Sequence, residues 1–429
     1  MRNMSILFVG LLNLAVAAAL SAQPTITTLH NFTNTAGDGA NPRTSVTIGP
    51  GGVLYGVTLS GGTFGQGTIF SLKPPASPGG SWTETLLYEF TDGSDGGGPI
   101  SRLATGAGPG GAVVLYGTTT FSAGTPFGSV YSLTAPATTG GPWTFATLFT
   151  FAGINGAGGY PVGGITIGPG GVLYGAAQYG GTGCPNVYPN FGCGEVYSLT
   201  PPAAPGGAWT QTILHSFLFT EGYGPQSPIV IGPGGVLYGT AIHGGDLSAC
   251  PTNKSGCGTV YSLTPPATPG GSWTLSVLYS FSNGADGIFP SAVVLGANGI
   301  IYGSTYQNVF SLTPPASPGD SWTETVVQTF SSELEGPLVS LVIGSNGTLF
   351  GATPGGAADA GTIFSLTPPA SSGGVWTNNQ MVRFSPTTNG TKPQGLTLGV
   401  SGGRAVLYGT TEFGLTTLFN DGTVFALQP

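Results

Sequence analysis

The sequence predicts an all-β chain wound into a ring of seven four-stranded blades. Three observations carry this. The 429 residues include 78 Gly and 36 Pro, over a quarter of the chain. Both break helices, and no long stretch shows a 3.6-residue apolar rhythm. A segment built around Leu-Tyr-Gly recurs seven times, which replaces the two or three domains that length alone would suggest. Finally, the chain holds one C-like strand more than it has D-like strands after them, and the missing one stands at its other end.

The repeat is anchored at Leu54-Tyr55-Gly56, Leu115-Tyr116-Gly117, Leu173-Tyr174-Gly175, Leu237-Tyr238-Gly239, Ile301-Tyr302-Gly303, Leu349-Phe350-Gly351 and Leu407-Tyr408-Gly409. The nonapeptide IGPGGVLYG is spelled identically at 48–56, 167–175 and 231–239. Each copy reads as four strands. Strand A ("SPIVIG") meets a Gly-rich reversal, and strand B ("VLYGTA") follows. A variable loop leads to strand C ("GTVYSLT"). A Pro-rich turn ("PPATPGGSW") then leads to strand D ("TLSVLYSF").

Strand B is apolar without alternation, as a strand covered on both faces requires. In strand D, Trp273, Leu275, Val277, Tyr279 and Phe281 are expected on one face. All six Trp residues (82, 143, 209, 273, 322 and 376) stand at the entry to strand D, a register that reads as structural wedges.

The C-terminal "GTVFALQ" is a seventh strand C with no D after it. "TITTLHNF" (Thr25–Phe32) has the pattern of strand D, so it is expected to close the last blade. Closure hides an edge that would otherwise stay open. An open solenoid would need caps at both ends, and none is visible. Four-stranded units repeated radially make a β-propeller; a parallel β-helix is the alternative.

Residues 1–22 read as a secretory signal. Arg2 precedes the apolar Ile6–Leu20, too short for an ordinary membrane span, and small residues follow. An uncleaved anchor is the alternative. Residues 23–429 form the propeller, with no second hydrophobic span. The cysteines lie in two local pairs, Cys184 with Cys193 and Cys250 with Cys257, each ending in "GCG" before the same strand. Equivalence of the repeats favours these two disulfides, which suit an exported protein. Eight and six intervening residues are too many for typical zinc pairs.

Strings such as "VLYGVTLSGGTFGQGTIFSLKP" resemble the GloVer (Gloeobacter/Verrucomicrobia) tandem repeat of bacterial exported proteins. The resemblance covers nearly the whole mature chain. It implies a β-propeller-like surface protein and brings no catalytic residues. Such proteins often carry C-terminal anchors. This sequence stops at Pro429 without one, so release to the periplasm or medium is expected.

The chain has 8 basic and 16 acidic residues. So few cations exclude nucleic-acid binding, which rests on neutralising phosphates. Function is expected on the face shared by the D–A and B–C loops, because these vary while the opposite turns recur. Around the long loops of blades 3 and 4 and the short one of blade 5, the expected ligand residues are Tyr179, Tyr188, Phe191, Tyr223, His243, Asp246 and Tyr306, with Phe289 and Lys254 nearby. Aromatics with a few polar groups suit a glycan or a protein.

An acid or Asn precedes Gly once per D–A loop, at Asp38, Asp95, Asn155, Glu221, Asp286, Glu335 and Asn389. These read either as turn formers or as oxygen ligands for a cation such as Ca²⁺. No other cofactor is expected. The reading is a secreted, monomeric binding or scaffold protein. The alternatives are a carbohydrate-active enzyme using loop acids and a calcium-dependent structural or adhesive protein. His30 and His215 lie on the packed stripe of strand D and read as structural, while His243 with Asp246 is a weak acid–base candidate.

Overall fold

The computed structural model describes residues 24–429 except 36, 78, 123–126, 139, 154–157, 182–183, 185–190, 205, 252, 269, 318, 331–340, 356–359, 372 and 415–421. The expected signal segment lies outside the described residues. Seven antiparallel sheets follow one another, each in the order A-B-C-D. Blade 4 has its four strands at Val230–Ile231, Leu237–His243, Thr259–Thr264 and Thr274–Ser280, and a short fifth at Tyr223–Pro225 pairs with the second. In blade 7, Thr25–Phe32 runs antiparallel to Gly422–Gln428, with Thr25 opposite Gln428 and Phe32 opposite Gly422. The N-terminal strand therefore closes the ring as expected.

Packing accounts for the repeated nonapeptide residue by residue. The A–B reversal places Gly51 at φ +68° and Gly52 at φ +74°, where a Cβ is strained. A Cβ on Gly49 would lie 2.5 Å from the Tyr55 ring. A Cβ on Gly56 would lie 2.4 Å from the ring of Phe70 on strand C. The same approach recurs at Gly175 under Tyr197 and at Gly239 under Tyr261. Leu54 is fully buried. The two framework glycines thus make room for two aromatic rings, and the leucine fills the blade interior.

The Tyr of Leu-Tyr-Gly meets the Trp of the next blade edge-on: Tyr55 with Trp143, Tyr116 with Trp209, Tyr174 with Trp273, Tyr302 with Trp376 and Tyr408 with Trp82. Such pairs contribute about 0.5–1.5 kcal/mol beyond the area they bury. The N-terminal strand carries no Trp at its entry, which is why seven blades have six wedges.

Threonines add hydrogen bonds between blades. Thr47 Oγ1 donates to Leu103 O (2.5 Å), Thr166 Oγ1 to Ile229 O (2.6 Å), and Thr118 Oγ1 to Pro161 O (2.7 Å). Across the closing seam Thr397 Oγ1 donates to Val46 O (2.5 Å) and Thr410 Oγ1 to Thr44 O (2.9 Å).

Strand D departs from simple alternation. A bulge shifts the C–D register in every blade; in blade 4 Val260 pairs Tyr279 while Tyr261 pairs Val277. The extra residue reverses the pleat. Leu278 therefore packs inward, while Val277, expected on the packed face, is solvent-exposed. Among the described residues, no helix is long and apolar enough to cross a membrane.

Candidate functional site

The two faces of the ring are built differently. On one, the second turn glycine of the A–B reversal faces the proline that opens the C–D turn in blades 1 and 3 to 6, as Gly52 does Pro74 and Gly235 does Pro265. On the other, B–C loops pair with the D–A loop entering the same blade. Gly97 bridges Phe121, Gly159 bridges Tyr179, and Tyr223 pairs His243. Both disulfides are formed on this second face, with Cα separations of 5.1 Å for Cys184–Cys193 and 5.9 Å for Cys250–Cys257. Their cysteines join the cores of blades 3 to 5.

The D–A acids hold their own loops. Asp95 accepts hydrogen bonds from Thr91 N (2.9 Å), Thr91 Oγ1 (2.6 Å), Gly93 N (3.1 Å) and Tyr88 OH (3.1 Å). Asp286 repeats this with Ser282, Gly284 and Tyr279. Burial alone would raise the Asp38 carboxyl, but hydrogen bonds from Thr33 and Gly39, with the His30 ring nitrogen 3.6 Å away, outweigh it and hold it low. Glu221 lies 2.9 Å from His215 Nε2 and accepts from Leu218 N. The two strand-D histidines thus occupy the place of Tyr88 and Tyr279 and serve the same acids. As placed, these four carboxylates act as turn clamps. Among the described residues, no three His, Cys, Asp or Glu side chains converge on a common point where a metal would sit. Glu335 and Asn155 lie outside the described residues.

The expected aromatic residues fall into separate groups. In blade 3, Tyr179 packs between Tyr160 and Phe191, at 5.8 and 5.0 Å between ring centres. At blades 4 and 5, Phe219, Tyr223 and His243 stack in turn and Phe289 meets His243 edge-on, with centres 4.8 to 5.5 Å apart. Tyr223 is 6% exposed, so it supports His243 and offers little surface itself. Burial lowers the His243 pKa, and its Nδ1 has no partner among the described residues. Asp246 is exposed and turns back to Ser248, accepting from its N (2.8 Å) and Oγ (2.7 Å). The two do not form an acid–base pair. Tyr306 packs against the core beside Cys250–Cys257. Tyr188 lies outside the described residues.

Two features go beyond the sequence reading, which had already named Phe191. One is a row of exposed apolar side chains at the B–C loops of four successive blades: Phe64 (55% exposed), Phe121 (38%), Phe191 (37%) and Leu247 (44%). The other is an axial cavity of about 630 Å³, lined by strand A and the residues just before it from all seven blades. Arg43 and Arg102 both line it. Arg43 pairs with Glu412 at 2.6 Å, and Gln394 Nε2 holds the second oxygen of that carboxylate at 3.2 Å.

The sequence profile of the Gloeobacter/Verrucomicrobia repeat matches residues 16–250 and 189–371. The chain belongs to this repeat family. No curated protein matches it. Solved structures share the fold at low identity. The extracellular domain assigned to a hybrid two-component system of B. thetaiotaomicron superimposes with a TM-score of 0.54 at 10% identity, over 95% of this chain and 42% of that one. An ancestral GH74 enzyme gives 0.53 at 13%, over 94% and 51%. PorZ, a surface component of the type-IX secretion system of Porphyromonas gingivalis, gives 0.52 at 14%, over 91% and 47%. This chain spans about half or less of each.

Within the repeat family's scaffold, blade 3 carries one further departure. Four blades join strands B and C by a buried hydroxyl pair 2.8 Å apart, as in Thr58–Thr68 and Thr411–Thr423. Blade 3 has Ala177 opposite Glu195 instead. Gly158 and Gly180 leave room for the carboxylate, which is fully buried. Burial pushes its pKa up to about 8, against a weak opposing hydrogen bond from Gln211 at 3.4 Å. Enclosure on all sides makes this a core acid, not one that meets a substrate. The signal was readable: a single Glu at a register otherwise held by Thr, Ser or Asn.

Proposed function

We propose that this is a secreted binding protein that takes a glycan or a protein ligand on the face formed by the D–A and B–C loops. The observation that carries the reading is the row Phe64, Phe121, Phe191 and Leu247. Every exposed Phe among the described residues stands on this face, and grouped exposed apolar side chains mark interaction surfaces. The stapled loops of blades 3 and 4 support it by holding Tyr179, Phe191 and His243 on a rigid base. Formed disulfides fit an oxidising compartment, in keeping with the expected signal at residues 1–22.

The test is a glycan array probed with residues 23–429, with and without EDTA, followed by pull-down from the native cell envelope. A specific hit is expected, weakened at least tenfold in Phe64→Ala/Phe121→Ala/Phe191→Ala. Binding unchanged in that variant places the ligand elsewhere. Loss of binding in EDTA would bring the loop acids back as calcium ligands.

A further inference from the structure

Only four arginines follow the expected signal, and two of them line the axial cavity. They sit in neighbouring blades, at Arg43 just after Pro42 and at Arg102 three residues after Pro99. Their circumstances differ. Arg43 is neutralised by Glu412. Arg102 has no carboxylate within ion-pair distance among the described residues. Its Nε donates to Thr47 Oγ1 at 3.1 Å, and that hydroxyl in turn donates a hydrogen bond to Leu103 O. The contact fixes the plane of the guanidinium and leaves both terminal nitrogens free to donate. Solvent reaches the side chain along the cavity, yet protein crowds it enough to lower its pKa.

A guanidinium held by one edge, with two parallel donors presented, matches a carboxylate. Among the described residues no acidic side chain lines the cavity, in a chain whose net charge is −8. Its walls combine hydroxyls and amides, such as Ser227 and Gln226, with the aliphatic Ile100, Ile165 and Val342. The volume falls within the range of about 300–1,000 Å³ usual for small-molecule sites.

We infer that the axial cavity is a second binding site, specific for a small molecule bearing one carboxylate, which Arg102 grips end-on. This site stands apart from the apolar row on the loop face and does not depend on it.

The experiment is titration calorimetry on residues 23–429 with D-glucuronate and benzoate, using D-glucose and sulfate as controls. One carboxylate is expected to bind saturably at one per chain, and glucose is not. Glucuronate as the binder identifies an acidic sugar; benzoate identifies an apolar acid. Arg102→Gln should weaken the carboxylate about 10- to 100-fold, and Arg102→Lys by less. Arg404→Gln, at the exposed start of the strand Arg404–Phe413, should leave it unchanged. Without ligand, Arg102→Gln should melt no lower than the parent, because it removes an unpaired charge; this separates lost binding from lost folding. The triple Phe variant of the loop face should bind the carboxylate normally. The proposal is overturned if neither carboxylate binds by about 10 mM, if sulfate binds equally well, or if Arg102→Gln binds like the parent.

Discussion

Glu195 is protonated in the folded chain at pH values where an unfolded chain has already lost that proton. Between its ordinary value and about 8, the folded state holds the extra proton. Stability therefore falls as pH rises through this window, by up to about 1.4 kcal/mol per unit for one group. Glu195→Gln is expected to flatten that part of the stability curve in urea titrations from pH 5 to 8. An unaltered slope would mean that the carboxyl is not held neutral. A second residue-scale expectation concerns Tyr131, Tyr197 and Tyr261. Their hydroxyls are buried without a partner among the described residues, while four blades use Phe70, Phe310, Phe364 and Phe425 at that place. An unsatisfied buried hydroxyl costs about 1–3 kcal/mol, so Tyr261→Phe should be neutral or stabilising in thermal melts. Gly239→Ala, by contrast, drives a methyl into the Tyr261 side chain. It should cost about 1–3 kcal/mol through overpacking.

Elements were legible where their rule is local. Gly-rich reversals, the apolar strand B and the Trp register follow from backbone freedom and burial, and all are found in place. The strand-D bulge was not legible, because it depends on pairing with strand C and leaves no mark in the spacing of Val277 and Leu278. The loops were half legible. Cys184–Cys193 and Cys250–Cys257 could be paired by comparing repeats. The separation of Tyr179 from His243, and the burial of Tyr223, depend on how neighbouring loops pack. Arg102 could have been singled out from its rarity and its place after Pro99; the cavity it faces requires the assembled ring. At this scale the expected experiment is replacement of Cys250 and Cys257 by Ser together. Opening that short loop should cost roughly 2–3 kcal/mol in the chain-entropy model. A denaturation midpoint that does not move would assign the loop's order to Asn253, whose side chain bonds Ser255 N and Gly256 O.

The whole molecule is a ring whose seam is made by chemistry found at its other joints: threonine hydrogen bonds between blades, plus one strand borrowed from the far end of the chain. Deleting Thr25–Phe32 exposes the edge of Gly422–Gln428 and uncovers Phe70, against which Phe32 packs at 5.0 Å. Aggregation and a lower melting temperature are expected, read by light scattering alongside a thermal scan. A truncated chain that stays monomeric and melts like the parent would show that the seam carries no stability. Split repeats made this closure visible in the sequence, since a strand missing at one end was present at the other.

Closure also imposes an order on synthesis. Thr25–Phe32 is made before any other strand of the ring, and its partner is made last. Nearly 400 residues must be completed while the first strand waits unpaired. Such a long-range contact is slow to form. Six blades can stack while the seventh lacks its outer strand, so the last folding event joins the oldest and newest parts of the chain. For a chain threaded through a membrane from its N-terminus, that event belongs to the far side, after the whole polypeptide has crossed.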